Sequence, residues 1–234
     1  MKKPRNRAAK FTQLAVVTAA MMLALIVAAT TTVLAQEVDE GISFDGLEPV
    51  KDSSVAMAYI DPEADFSAFE RVAILEPFVA FRSNWQRDQN RSRSRNIRAS
   101  DMERIKADVA SLFKEVFTER LEADDGFEVV DVADYDVLLL RPAIIDLDIS
   151  APDVRTAGRS RTFTASTGAA TLYLELFDSV SGQIIGRAAD RQAARRAGGN
   201  VSWSSRVTNT AEARRMFGGW ADRLREFLDE HYTK

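Results

Sequence analysis

Apolar side chains alternate along several short stretches of this chain, and the alternation predicts β-strands. Between residues 71 and 81 both alternating sets of side chains are apolar. A strand that is apolar on both faces lies centrally in a sheet or is covered on both sides. A shorter strand is predicted at residues 54–60, and Pro62 with residues 65–69 predicts a turn between the two strands.

Apolar residues recur every three or four positions after residue 100, which predicts an amphipathic helix. This helix is expected from Asp101 to about Ala123, and Ser100 with Glu103 fits a capping box at its start. Its apolar stripe consists of Met102, Ile105, Val109, Leu112, Phe113, Val116, Phe117 and Leu121.

A second amphipathic helix is predicted at the end of the chain, with Asn209 as its cap and Glu212 at the third position. Gly218 and Gly219 lie inside it, and each Gly lowers helix stability by about 1 kcal/mol relative to Ala. We therefore expect a kink or a close approach to the sheet at the two glycines. The apolar face holds Met216, Phe217, Trp220, Leu224, Phe227, Leu228 and His231.

The segment between the two helices is predicted to form four strands. Residues 127–132 and 136–149 make two of them, and Pro142 within the second suggests an edge position or a bulge. Residues 170–177 and 183–189 read as a hairpin that turns through a short loop containing Gly182. The predicted fold is an α+β two-layer sandwich, with a mixed or antiparallel sheet of five to six strands and both helices on one face.

The first 35 residues have the features of an export signal. Five cationic residues lie within residues 1–10, an apolar run follows to Ala29, and Ala35 is a small residue at the expected cleavage site. We expect Gln36 to be the mature N-terminus and the general secretory route to be used. The alternative is retention, because residues 11–34 are long enough to cross a bilayer. The predicted organisation is a signal peptide at 1–35, an extended arm at 36–54 and a single domain at 55–234.

Composition excludes several kinds of site. The chain has no Cys, which removes disulfides, thiolate metal sites, Cys nucleophiles and the lipid anchor of bacterial lipoproteins. Removing residues 1–35 takes away five of the 31 basic residues and none of the 35 acidic ones, which leaves a net charge of −9. That balance argues against nucleic-acid binding, and we expect membrane contact only through an uncleaved signal segment.

The segment at residues 82–98 is unusually rich in arginine for an acidic chain. One hypothesis is a flexible arm that binds an anionic envelope component or an acidic protein, because Arg pairs bidentately with phosphate and carboxylate. The alternative is a solvated loop without a ligand. Further basic segments at 155–161 and 187–206 are expected near the same end of the sheet. The candidate contact residues are Arg82, Trp85, Arg87, Arg91, Arg93, Arg95 and Arg98.

Other candidate chemistry is sparse. Asp146 and Asp148 alternate on a predicted strand, which would place their carboxylates on one face about 6.5–7 Å apart. Such a pair can hold a cation or share acid and base roles, and the alternative is a strand that leaves the sheet into solvent. His231, the only histidine, is expected to end a helix, and Trp220 is expected to lie in the core. Trp203 is expected to anchor a loop on the sheet, and the alternative is a partially exposed contact residue. No metal or cofactor site is predicted.

Four segments together resemble the bacterial envelope family of domain of unknown function 3313. They are residues 59–81, 136–148, 170–191 and 220–230, and their content is structural: strand cores, a hairpin turn and a helix stripe. Many members of that family resemble lipoproteins, from which this chain departs because it has no anchoring Cys. The resemblance implies no reaction and no catalytic residues.

Three functions remain open from the sequence. The first is a non-catalytic periplasmic protein that binds an envelope component or assists its assembly, with the arginine-rich segments as its contact surface. The second is a periplasmic hydrolase that uses carboxylates such as Asp146 and Asp148. The third is a structural envelope protein that stays anchored by its signal segment.

Overall fold

The structure is a computed structural model, and it describes residues 45–91, 96–149, 168–193 and 206–231. These residues all belong to the second of two compact units into which the chain divides, Gly41–Lys234. Among them, no helix combines the length and the apolar character needed to cross a membrane.

One mixed sheet of eight strands forms the framework of the domain. Its order is β1-β2-β8-β7-β6-β3-β5, and β4 pairs with β6 as a continuation of β3. The strands β3, β4, β5 and β6 pair in parallel, whereas β1, β2, β7 and β8 join through antiparallel pairs. The strands are β1 (Glu48–Pro49), β2 (Met57–Ile60), β3 (Arg71–Ile74), β4 (Phe78–Phe81), β5 (Glu128–Val130), β6 (Val137–Asp148), β7 (Ala169–Asp178) and β8 (Ile184–Ala193).

The α+β class is confirmed, and the strand count is somewhat higher than the five to six predicted. One additional strand is β1, which lies in the predicted N-terminal arm and pairs with β2. Leu47, just before β1, is buried, so this part of the arm packs against the domain.

The other additional strand arises because the predicted strand at 71–81 is interrupted at Pro77. The two halves, β3 and β4, pair with successive parts of β6. Pro142 of β6 lies opposite this interruption. The carbonyl of Leu140 accepts from Leu75 N–H on the β3 side, and residues two apart in a strand direct their backbone groups to the same side. The backbone nitrogen of Pro142, which has no hydrogen to donate, therefore faces the gap between β3 and β4, where no strand pairs with it. For this reason Pro142 lies within a central strand and not at an edge or a bulge.

Among the described residues, three α-helices accompany the sheet: α1 (Trp85–Asn90), α2 (Ala99–Glu122) and α3 (Arg206–His231). The start of α2 differs from the predicted capping box, since Asp101 rather than Glu103 accepts the Arg98 backbone N–H, at 3.0 Å. The helix α3 runs without interruption through Gly218 and Gly219, and Gly218 lies against Arg120 of α2.

The core lies between the sheet and the apolar stripes of α2 and α3. Alternate residues of β6 and β7, such as Leu140 and Leu174, are buried with Phe113, Phe117 and other helix residues in one cluster. Seven strands side by side span about 29 Å at 4.8 Å spacing, whereas two packed helices cover about 20 Å. The sheet is therefore wider than its helical layer.

Candidate functional site

The first half of the arginine-rich segment forms the short helix α1, so the expectation of an irregular loop is wrong for residues 85–90. Trp85 begins this helix and is only 1% exposed. Its ring stacks on Phe81 with centroids 4.0 Å apart, and its Nε1 donates to the Ile149 carbonyl at 2.8 Å. The structure therefore places Trp85 in the interior as an anchor, not at the surface as a ligand contact.

Arg82 also has a structural position. Its Nη1 lies 2.8 Å from Asp88 of α1 and its Nε lies 2.9 Å from Asp148 at the end of β6. The hydrogen bonds that Arg82 donates to these two carboxylates raise the pKa of Arg82, and the bond to Asp88 lowers the pKa of that carboxyl group. These ion pairs fasten α1 to the sheet, and they leave Arg82 half-buried.

Arg87 and Arg91 project from α1 into solvent, with side chains 62% and 71% exposed. Their ion-pair partner in the described structure is Asp88, 3.8 Å from each, and Arg82 already holds this carboxylate at 2.8 Å. Two carboxylates, Asp88 and Asp148, thus face three guanidinium groups, so positive charge is in excess here. Arg98, exposed before α2, completes what we call the α1 surface: Arg87, Arg91 and Arg98.

Three chain connections begin near the α1 surface. The pairs Asp148–Ala169 and Ala169–Ala193 place the ends of β6 and β8 and the start of β7 together, and Trp85 contacts Ile149 beside them. The ends of the two longer connections thus lie at one end of the sheet, beside Trp85 of α1. The connections themselves, 92–95, 150–167 and 194–205, lie outside the described residues. Their sequences contain one acidic residue and seven arginines: Arg93, Arg95, Arg155, Arg159, Arg161, Arg195 and Arg196.

The structure does not form the regular carboxylate pair expected on β6. A β-bulge interrupts the pairing of β6 with β7 between Ile145 and Asp148, and Asp146 has a positive φ of 51° at this bulge. The strict alternation that would place Asp146 and Asp148 on one face is therefore broken. Asp146 is exposed, whereas Asp148 pairs with Arg82.

The remaining candidates have structural contacts where they are described. Trp220 is buried in the core and donates from Nε1 to Asp190 at 2.9 Å. His231 ends α3, where its Nδ1 lies 2.7 Å from the Phe227 carbonyl. Trp203 lies outside the described residues. Within the described ranges, no three His, Cys, Asp or Glu residues cluster in a way that could hold a metal ion.

The sheet face opposite the helices carries a charge cluster that the sequence analysis missed. Glu175 of β7 is buried there between Arg141 and Arg187, with Arg141 Nε donating to it at 2.6 Å. Arg187 also pairs with Asp45. Arg187, predicted as part of a basic surface, is thus neutralised by carboxylates of its own domain. Arg141, Glu175 and Arg187 lie directly opposite one another on neighbouring strands. The sequence could have indicated this cluster only if the pairing and register of the three strands had been predicted correctly.

A cavity of about 560 Å³ was also missed by the sequence analysis. It lies between the helix-side face of β2 and β8, the C-terminal half of α3 and the loop at residues 50–55. Apolar side chains of the sheet and of α3 line its interior. The sequence pattern cannot reveal such a cavity, because it depends on how far the sheet extends beyond the helices.

Several solved structures are distantly similar to this chain. A PelC dodecamer from Paraburkholderia phytofirmans is 10% identical, with 69% of this chain and 91% of that chain covered and a TM-score of 0.36. A putative neuraminyllactose-binding hemagglutinin homolog from Helicobacter pylori is 15% identical, with coverage of 70% and 87% and a TM-score of 0.35. TM-scores this low carry no argument about this chain.

The comparison with protein families gives a definite result. No curated protein matches the sequence. The family described as protein of unknown function (DUF3313) matches residues 39–224, which include all eight strands and most of α3. This match confirms the resemblance found in the sequence. The chain belongs to the DUF3313 family.

Proposed function

We propose that this protein is an exported, non-catalytic component of the bacterial cell envelope that binds an anionic partner through the α1 surface. The signal-like residues 1–35 support export to the periplasm. The absence of Cys from the sequence argues against a lipoprotein anchor. The observation that carries the binding proposal is the excess of exposed arginine on α1.

The α1 surface has the chemistry of an anion-binding site. Arg87 in α1 and Arg91 at its C-cap are four residues apart, and both extend their guanidinium groups into solvent. Guanidinium groups bind phosphate and carboxylate bidentately, which gives orientation as well as attraction. The packing of Trp85 and the ion pairs of Arg82 hold α1 in place, so its arginines need little ordering before they bind.

The charge of the rest of the protein makes this surface stand out. A mature chain with a net charge of −9 repels an anionic partner over most of its surface. Attraction must therefore come from a local concentration of positive charge, and the sequence adds seven arginines in the three connections that flank this end. The proposed partner is an envelope component that presents several phosphate or carboxylate groups.

Binding to a defined phosphate polymer tests the proposal. Arg87→Ser with Arg91→Ser should weaken the binding of the mature protein to polyphosphate and to phosphatidylglycerol vesicles at least tenfold. Binding to neutral phosphatidylcholine vesicles should stay undetectable. Isothermal titration calorimetry and vesicle co-sedimentation provide the measurements.

A charge-matched variant is the control. Lys114→Ser with Arg120→Ser removes the same two charges from α2, and it should leave the affinity within about twofold. Equal losses in the two double variants would mean that net charge rather than the α1 surface drives binding. Wild-type protein that binds neither anionic probe would refute the proposal.

A further inference from the structure

We propose that the cavity beside α3 binds a single acyl chain, a ligand site separate from the α1 surface. The cavity lies where the sheet extends beyond its helical layer: Trp220 and Arg223 of α3 contact Asp190 of β8, and β2 follows β8 in the strand order. Its volume of about 560 Å³ is within the range of small-molecule sites, about 300–1,000 Å³.

Small residues form the outer floor of the cavity. Ala58 of β2, Ala188 of β8 and Leu174 of β7 lie side by side in the register, and Ile60, Gly186 and Leu176 form the next row. Leu176 packs over Gly186, where a Cβ would lie only 3.1 Å from Leu176 Cδ1. The depth of the cavity therefore comes from the row of Ala58 and Ala188, where a larger side chain would fill the space.

The walls are apolar, and the one carboxylate on the floor is already paired. Trp220, Leu224 and Phe227 of α3 form one wall. Asp190 of β8 accepts from Trp220 Nε1 at 2.9 Å and lies 3.5 Å from Arg223 Nη1. The interior thus presents no unpaired carboxylate that a ligand must satisfy. Arg187 also lines the cavity, and its guanidinium group is paired with Asp45 and Glu175.

Charged residues of both signs surround the mouth of the cavity. Lys51 and Asp52 lie on the loop, and Glu226, Glu230 and His231 lie on α3. Three carboxylates face one lysine here, so the mouth favours a neutral or zwitterionic head group over an anionic one. An apolar interior below a polar mouth fits an amphiphile with one chain.

A peptide fits this cavity less well than an acyl chain does. The strands β8 and β2 are paired on both sides, the latter by β1 and β8, so the floor offers no free backbone groups to an extended peptide. Its amides would remain unpaired in an apolar site, which is costly. A helix of 10–12 Å diameter would place only about three to five residues in a volume of this size.

The binding of fatty carboxylates of increasing chain length to the unmodified protein tests the proposal. Saturated carboxylates from hexanoate to dodecanoate should displace a fluorescent fatty acid, and each added methylene should tighten binding up to about fourfold until the cavity is full. Lysophosphatidylcholines with the same acyl chain lengths are measured for comparison. Tighter binding of the lysolipids would identify a phospholipid as the source of the chain, and equal or weaker binding would identify a free acid.

Neighbouring alanines on opposite faces of β8 supply matched variants. Ala188→Phe places a ring in the cavity and should weaken dodecanoate binding at least tenfold, whereas Ala189→Phe on the other face should leave it unchanged. If Ala188→Phe does not fold, Ala58→Phe fills the same row. The proposal is overturned if no carboxylate binds saturably, if affinity is independent of chain length, or if the cavity-filling variant binds as the wild type does.

Discussion

At the scale of single residues, Trp85 and Arg82 hold the α1 surface in place. Trp85 joins α1 to the end of β6 through its ring stacking and its hydrogen bond to Ile149, and Arg82 joins Asp88 to Asp148. The sequence indicates the surplus of arginine but cannot separate the buried anchors from the exposed contacts. That separation depends on Asp148, which is 60 positions from Asp88 and reaches Arg82 only through the pairing of β4 with β6.

The Arg82–Asp88 pair predicts a pH dependence of stability. Because Arg82 lowers the pKa of Asp88, the folded state favours the ionised carboxylate, and this contribution is present above the unfolded pKa of about 3.9. It is lost as the pH falls through the lowered pKa of the folded protein. Asp88→Asn should therefore reduce the melting temperature at pH 7, and the difference from wild type should disappear at pH values well below 4. Thermal melts across this range provide the measurement, and a difference that persists at low pH would contradict it.

At the scale of the elements, patterns within one segment predicted the two long helices and most strands, but not the short helix α1. The apolar stripe of α2 and the hairpin of β7 and β8 depend on local periodicity and on one glycine turn, and both agree with the structure. Pro142 and the bulge at Asp146 were misjudged because their meaning depends on the neighbouring strand. The gap between β3 and β4 accepts the proline, and the offset between β6 and β7 breaks the expected alternation of Asp146 and Asp148.

The side of α2 that faces the core leads to a prediction about stability. Phe113 is fully buried and stacks on Phe117, with ring centroids 3.9 Å apart, whereas Lys114 is partly exposed and belongs to no buried cluster. Phe113→Ala should destabilise the domain by about 3–5 kcal/mol, and Lys114→Ala should change stability by less than about 0.5 kcal/mol. Urea unfolding of the two variants provides the comparison. Similar losses at both positions would contradict the packing of α2 described here.

At the scale of the whole molecule, two surfaces of different chemistry lie on one sheet. The α1 surface is cationic and exposed at one end, and the cavity beside α3 is apolar and lies over the outer strands. Net charge and composition indicated the first, because an arginine-rich segment is conspicuous in an acidic chain. They could not indicate the second, because the width of the sheet relative to two helices follows from strand order and not from composition.

The salt dependence of polyphosphate binding tests the central claim most directly. Exposed charge contacts are screened over a Debye length of about 10 Å at 0.1 M salt and about 3 Å at 1 M. If the α1 surface makes the contact, the affinity of the wild-type protein should fall steeply between these salt concentrations. The double variant Arg87→Ser with Arg91→Ser should show a clearly shallower slope, while Lys114→Ser with Arg120→Ser keeps the wild-type slope. Identical slopes for the wild type and the α1 variant would contradict the account.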